Sequence, residues 1–308
     1  MPTRAGDAFL SVDAPAKINL FLHVTGRRED GYHLLDSIVA FTEVGDRLSV
    51  APSSRTLSLE MSGPFAPDLA GLTRRSSDNL VLQAAEMLRA AAGLAAGARL
   101  RLVKNLPVAA GIGGGSADAA AALRLLAHFW NVSDAEPILR RIAPKLGADV
   151  PVCLRSASAR FSGIGDIVEP APAPPSCGVV LANAREPVPT PAVFRARTGP
   201  FRGTGRRTAF WGTDSGFDEF IESLALCAND LSDAAQRVSP VIAVVLSELR
   251  QSSGCRLARL SGSGGTCFGL YETTETAEQA AAALSRSHAD WWVVSTQFRR
   301  CGTSPAVF

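Results

Sequence analysis

The densest run of chemically useful residues is Pro107-Val108-Ala109-Ala110-Gly111-Ile112-Gly113-Gly114-Gly115-Ser116-Ala117-Asp118. Its four glycines let the backbone approach a bulky anion and adopt positive φ where needed. A strand-like pattern (98–104) precedes it and an alanine-rich helical pattern follows. The first-turn N–H groups of that helix have no partner within the helix and would point at the same spot. The helix dipole adds about 0.3–1 kcal/mol per favourable charge contact there. Ser116 could cap the helix or contact a phosphate or its metal. This is not a Walker A loop, because no Gly-Lys-Ser/Thr follows the glycines. A dinucleotide fingerprint read from Gly111 and Gly113 puts Ser116 where the third glycine belongs. A plain connector with a helix cap is the alternative, but four glycines exceed what a connector needs.

Other residues gain meaning only in context. Lys17, flanked by Ile18 and Leu20, must face solvent or a paired carboxylate. Asp149, in Leu146-Gly147-Ala148-Asp149-Val150-Pro151, could simply cap a turn. Tyr32 follows Gly31 in a turn, and Phe194 could be ordinary core. Gly262-Ser263-Gly264-Gly265 could be a strand-to-strand turn. The cysteines at 153, 177, 227, 255, 267 and 301 form no CxxC pair, so zinc-ribbon and thioredoxin-like readings lack support. Cys153 and Cys267 lie in apolar runs, and His23, His128 and His288 form no metal-ligand spacing.

The elements that must hold these residues follow from periodicity. Strands are expected at 8–13, 18–25, 36–42, 46–51 and 56–62, with Gly, Asp, Pro or Ser breaks between several of them. A helix starts near Asp78 as N-cap. Further helices run from about Ser116 to Trp130 and over 134–146. A strand near 157–168 leads to the proline-rich connection 169–178. Strands at 178–183, 256–261, 265–271 and 291–298 then alternate with helices near 216–228, 239–251 and 274–286. That pattern implies a compact α/β sandwich. Residues 197–215 read as a loop. The change of domain is expected between 155 and 178, giving domains of 1–160 and 161–308.

The chain has 308 residues, 46% of them hydrophobic and 19% charged, with a net charge of +2. This fits two globular domains and excludes a dominant basic field, so no nucleic-acid partner is expected. The most apolar window, 108–130, carries four glycines, Asp118 and Arg124, which disqualifies it as a membrane span. No signal-peptide pattern opens the chain, so a cytoplasmic, reduced protein is expected.

Five separated segments now converge: Ala14–Leu22, Arg28–His33, the loop 107–118, Leu146–Pro151 and Leu260–Gly269. Together they resemble the GHMP kinase superfamily. Within it they are most similar to the kinases that act on a cytidine diphosphate ester of a methylated tetritol in non-mevalonate isoprenoid biosynthesis. The resemblance implies an α+β, two-domain fold: a mixed-sheet domain with the phosphate loop, and a ferredoxin-like α/β sandwich. It implies ATP and Mg2+, a small-molecule alcohol phosphorylated on its 2-hydroxyl, and no nucleic-acid or membrane partner.

By resemblance, Asp149 takes the hydroxyl proton and Lys17 stabilises the developing charge. Residues 107–117 together with Asn79 and Lys104 bind ATP, with Asn105 also on the nucleotide side. Asn19, Tyr32, His33, Thr190, Phe194, Ser263, Gly264 and Thr266 contact the acceptor. Tyr32 and Phe194 would sandwich its cytosine while His33 bonds the base edge. Two positions depart from the family pattern: Ala117, where a second serine is frequent, and Gly265, where proline or alanine is frequent. Two readings compete: a superfamily kinase for another small alcohol, and a non-catalytic ATP and ligand sensor. The DGYH segment and Phe194 argue against the first. The presence of both Lys17 and Asp149 argues against the second. A dehydrogenase is disfavoured by the missing third glycine.

Overall fold

A computed structural model describes residues 10–72, 78–202 and 211–300. The four strands expected in the first fifty residues are two. Strands β1 (Leu10–Arg27) and β2 (His33–Ser53) form one long antiparallel hairpin. The breakers are absorbed as irregularities instead of ending the strands: register shifts fall at Pro15/Lys17, Asn19/Phe21 and Val24/Gly26. Gly45 is such a case. A Cβ there would lie 2.5 Å from the Ala14 carbonyl oxygen, so glycine serves close strand approach, not a turn. Residues 8 and 9 of the first expected strand lie outside the described residues.

The later half of β2 pairs with β4 (Gly97–Val103), which pairs in parallel with β3 (Leu57–Ser62). Its first half pairs with β5 (Ala159–Gly163), followed by β6 (Ile167–Pro170). The strand expected over 157–168 is therefore a hairpin, turning where Asp166 accepts the Ile164 N–H at 2.9 Å. The helices of this half are α1 (Ala66–Leu72), α2 (Leu80–Ala91), α3 (Gly114–Phe129), α4 (Ala135–Leu146) and α5 (Val150–Arg155). The buried alanines of α3, including Ala119, Ala120, Ala121 and Ala122, let its backbone lie close to β1 and β2. The cap of α2 is Asn79, not Asp78: its side chain accepts the Val81 N–H at 2.9 Å.

The second sheet has the order β10-β7-β9-β8, antiparallel throughout, with β7 at Gly178–Asn183, β8 at Leu257–Leu260, β9 at Thr266–Tyr271 and β10 at Trp292–Gln297. Helices α6 (Thr190–Ala196), α7 (Phe217–Ala225), α8 (Ser232–Val238) and α9 (Val241–Gln251) lie between β7 and β8, and α10 (Thr274–Ser287) joins β9 to β10. This is the ferredoxin-like arrangement. The sequence reading missed α1, α5, α6 and α8, none longer than seven residues and too short for a 3.6-residue period to show. Pro191 stands in the first turn of α6, where its missing N–H costs the helix no hydrogen bond. Residues 203–210 of the expected loop 197–215 lie outside the described residues.

Because β5 and β6 belong to the first sheet, a boundary at 160/161 would cut β5. The sheet changes between Pro170 and Gly178, inside the expected 155–178 window. The chain also crosses back. Ile18, Leu20 and Phe21 of β1 pack with Val179, Leu181, Phe220 and Phe268 of the second half. The Leu22 N–H donates to the Ala228 carbonyl at 3.0 Å, and the Asp230 N–H to Leu22 at 2.8 Å. The two sheets are thereby stitched together along one strand, and the cleft lies beside that seam.

Candidate active site

The glycine run forms the N-terminus of α3. The helix begins at Gly114, two residues earlier than expected, because Gly113 takes the left-handed φ of 66° and starts it. Ser116 is therefore inside the first turn and is not the cap. The N–H groups of Gly114, Gly115 and Ser116 have no partner within the helix and face the opening. A Cβ at Gly113 would lie 3.1 Å from Lys17 Cε. The loop is also stitched to the second half. Thr266 N–H donates to the Ala110 carbonyl at 2.9 Å, and the Ser261 hydroxyl donates to the Gly111 carbonyl at 3.0 Å.

A cavity of about 1430 Å³ opens over this loop, between the two halves. Lys17 lies on its wall, 4% exposed, with Nζ 3.0 Å from Asp149 Oδ2. The Lys17 backbone N–H donates to the Ile112 carbonyl at 2.9 Å, tying strand to loop. Asp149 occupies the N-cap position of α5, but its side chain caps nothing. It turns instead to the lysine and stays 36% exposed to the cavity. Lys17 makes a second bond, to Asn19 Oδ1 at 2.9 Å.

Along one end lie Asn79, Leu80, Val81, Leu69, Leu72, Pro107 and Val108, a mostly apolar slot beside the loop. At the other end are Tyr32, His33, Phe194 and Phe201, with Arg27 and Arg197. The ring that lies on Phe194 is His33, with centroids 5.0 Å apart, while Tyr32 is 63% exposed. Burial, together with the Arg27 and Arg197 guanidiniums, lowers the His33 pKa and favours the neutral imidazole. Thr190 and Ser263 share a hydroxyl–hydroxyl hydrogen bond of 2.7 Å on the same wall.

The structure brings most of the expected residues to this cavity, with exceptions. Ile112 and Ala117 are core residues facing away from it, and their contribution is to fix the loop's backbone. Ala117 packs in the alanine face of α3, so the missing serine hydroxyl leaves a core contact in its place. Gly264 and Thr266 stand behind the wall. Gly264 abuts Gly111, and the Thr266 hydroxyl accepts from Asn183 Nδ2 at 3.0 Å. Gly265 suits its position: φ is 89°, and a Cβ would meet Asn183 Nδ2 at 3.0 Å and Ala110 Cα at 3.2 Å. Asn105 holds the strand end, its side-chain amide donating to the Gly45 carbonyl at 3.1 Å.

Lys104 reaches the cavity floor but is 2% exposed, its ammonium held between Asp46 and Asp118. The contact with Asp118 is 2.7 Å. Asp46 also accepts the N–H groups of Asn105 and Leu106, at 2.6 and 2.9 Å. One ammonium thus ties β2, the strand end that enters the loop, and the first turns of α3. Burial works to lower the Lys104 pKa, but the two carboxylates outweigh it and hold it high. Burial pushes Asp118 up to about 7, against Lys104 and with help from Asp46. Sequence reasoning missed both aspartates. Asp118 did carry a signal, as a lone carboxylate in a buried alanine run.

The residues 79–157 match the family model for the GHMP kinases N terminal domain, and residues 215–290 match that for the GHMP kinases C terminal domain. The chain is 48% identical to 4-diphosphocytidyl-2-C-methyl-D-erythritol kinase of Paramagnetospirillum magneticum, over 93% of this chain and 98% of that protein. It is 46% identical to the protein of the same name from Rhodospirillum rubrum, over 91% and 89%. A crystal structure of 4-(cytidine 5'-diphospho)-2C-methyl-D-erythritol kinase superposes with a TM-score of 0.74 at 35% identity, covering 94% of this chain and all of that one. Homoserine kinase from Cytophaga hutchinsonii shares the fold, with a TM-score of 0.70 at 15% identity over 98% of both chains. On these matches the chain belongs to the GHMP kinases and, among them, to the family of the 4-diphosphocytidyl-2-C-methyl-D-erythritol kinases.

Proposed function

We propose that this chain is an ATP-dependent kinase that phosphorylates the 2-hydroxyl of 4-diphosphocytidyl-2-C-methyl-D-erythritol. The observation that carries the reading is the Lys17–Asp149 contact of 3.0 Å beside the N-terminus of α3. Phosphoryl transfer to an alcohol needs charge neutralisation at the γ-phosphate, an aligned hydroxyl and an acceptor for its proton. The N–H groups of Gly114, Gly115 and Ser116 receive the phosphates. The slot bordered by Asn79, Leu69 and Val81 takes the base of ATP. Asp149 Oδ2 accepts the hydroxyl proton as the acceptor oxygen attacks the γ-phosphorus and ADP leaves. Lys17 pairs with Asp149 at 3.0 Å and faces the developing charge. The aromatic end, with Tyr32, His33 and Phe194, holds the cytidine half of the acceptor.

Magnesium is the remaining component that ATP chemistry calls for. Among the described residues, no group of three or more His, Cys, Asp or Glu side chains is placed to hold a metal ion. The Ser116 hydroxyl and the Asp149 carboxylate line the cavity as hard oxygen donors. That set fits an ion carried mainly by phosphates and water. When bound, it would offset phosphate charge. Among the described residues no helix is long and apolar enough to cross a membrane.

The test is Asp149→Asn, nearly isosteric but a poor proton acceptor. Its kcat should fall about 10²- to 10⁴-fold, with ATP affinity near wild type by calorimetry. Wild-type turnover would remove Asp149 from the mechanism. Equal kcat/KM for the acceptor and for methylerythritol 4-phosphate, which lacks the cytidylyl group, would sink the substrate assignment.

A further inference from the structure

Ser37 lies wholly buried on β2, one layer behind Lys17. Its hydroxyl donates to the Phe21 carbonyl at 2.5 Å, beside the register shift at Asn19/Phe21. A serine hydroxyl has one proton, and that bond uses it. Toward its other neighbour, the Asn19 side chain, Oγ can therefore only accept. The two atoms are 2.9 Å apart, so the Asn19 atom facing Ser37 must be the donor, Nδ2. It follows that Oδ1 is turned the other way, to Lys17 Nζ at 2.9 Å. The reversed amide would set donor against donor at Lys17 and acceptor against acceptor at Ser37. The Asn19 backbone has no slack either, since its N–H donates to Ser261 Oγ at 3.1 Å. Of the three ammonium protons on Lys17, one goes to Asn19 and one to Asp149, which leaves the third for the cavity.

We propose that the Ser37 hydroxyl fixes the orientation of the Asn19 amide and thereby aims the Lys17 ammonium at the reacting atoms, making Ser37 a positioning residue for phosphoryl transfer. Ser37 does not border the cavity and touches no substrate. Its effect runs through Asn19, whose amide carries the constraint to Lys17. This inference rests on Lys17 and Asp149 being the catalytic pair.

The test compares steady-state kinetics of wild type, Ser37→Ala, Ser37→Thr and Asp149→Asn, with thermal midpoints measured in parallel. In Ser37→Ala the amide loses one of the two partners that orient it, and the Asn19 side chain, with the ammonium bonded to it, gains freedom. Misaligned catalytic groups cost up to roughly 10²-fold, so kcat should fall roughly 10- to 100-fold. KM for ATP and for the acceptor should stay within about twofold, because uniform binding is untouched. Ser37→Thr keeps the hydroxyl and should return kcat to within about threefold of wild type. Should the alanine variant not fold, Ser37→Cys keeps the volume with a poor acceptor and should show the same kcat loss. The proposal is overturned if the alanine variant turns over like wild type, if threonine restores nothing, or if the loss lies in KM alone. An inactive Asp149→Asn beside a fully active Ser37→Ala would reject this inference only. A fully active Asp149→Asn would reject the catalytic pair itself.

Discussion

Replacing Lys104 by methionine separates a strut from a ligand. Methionine keeps most of the volume and removes the charge. What remains is Asp46 and Asp118, side by side and essentially without exposure to water. Asp46 keeps two backbone N–H donors, from Asn105 and Leu106. Among the described residues Asp118 is left without a cation, because Oδ1 has no partner even now and Oδ2 loses the Lys104 ammonium. Breaking one partner out of a buried ion network costs about 3–5 kcal/mol. At roughly 2–4 °C per kcal/mol for domains of this size, the melting midpoint should drop by about 10 °C. Part of the penalty is avoidable, since Asp118 already sits at about 7 and takes up a proton readily. Adding Asp118→Asn to Lys104→Met should therefore restore about half of the loss. The assay is thermal unfolding of the single and double variants, paired with calorimetric titration of ATP below the transition. If Lys104→Met melts with wild type while ATP affinity falls more than about tenfold, Lys104 is a nucleotide ligand and the strut argument is wrong.

Three further outcomes follow from the same geometry. Gly114→Val puts a branched side chain 3.2 Å from Lys104 Nζ and at the phosphate opening; ATP affinity should fall at least about tenfold, and unchanged calorimetric binding would rule out this loop as the cradle. Phe194→Ala removes the ring stacked at 5.0 Å on His33; at about 1–3 kcal/mol per stacked base, acceptor KM should rise roughly 5- to 150-fold with ATP KM unchanged, and a KM change for ATP alone would contradict the assignment of that end. Asp118 has a folded pKa of about 7 against an ordinary 3.8, so its contribution to stability is fully present below the ordinary value and is lost as pH rises through about 7. Asp118→Asn removes that titration, so its melting midpoint should gain on wild type between roughly pH 4 and pH 7, and a constant difference would refute the shift.

The sequence by itself determined the chemistry and much of the architecture. Four glycines before an alanine-rich helix pointed to a phosphate cradle, since backbone without Cβ atoms can approach an anion closely. Lys17 and Asp149 gained their proposed roles only through the resemblance of their segments to a known family, while the alternation of strands and helices after Gly178 implied the second sheet. The glycine run and the alternation are local signals, carried by residue type and short spacing. Tertiary structure decided everything that depends on partners far apart in the chain. Pro15 and Gly45 look like strand breakers, and only their pairing across the hairpin turns them into bulge and close contact. Lys104 resembled a nucleotide ligand until Asp46 and Asp118, 58 and 14 residues away, took up its charge. His33, not Tyr32, lies on Phe194, because the fold of α6 against the β1–β2 turn sets ring positions that no spacing encodes. Ser37 gave no signal at all: a serine in a buried strand acquires direction only when a carbonyl takes its proton and an amide must accept the consequence.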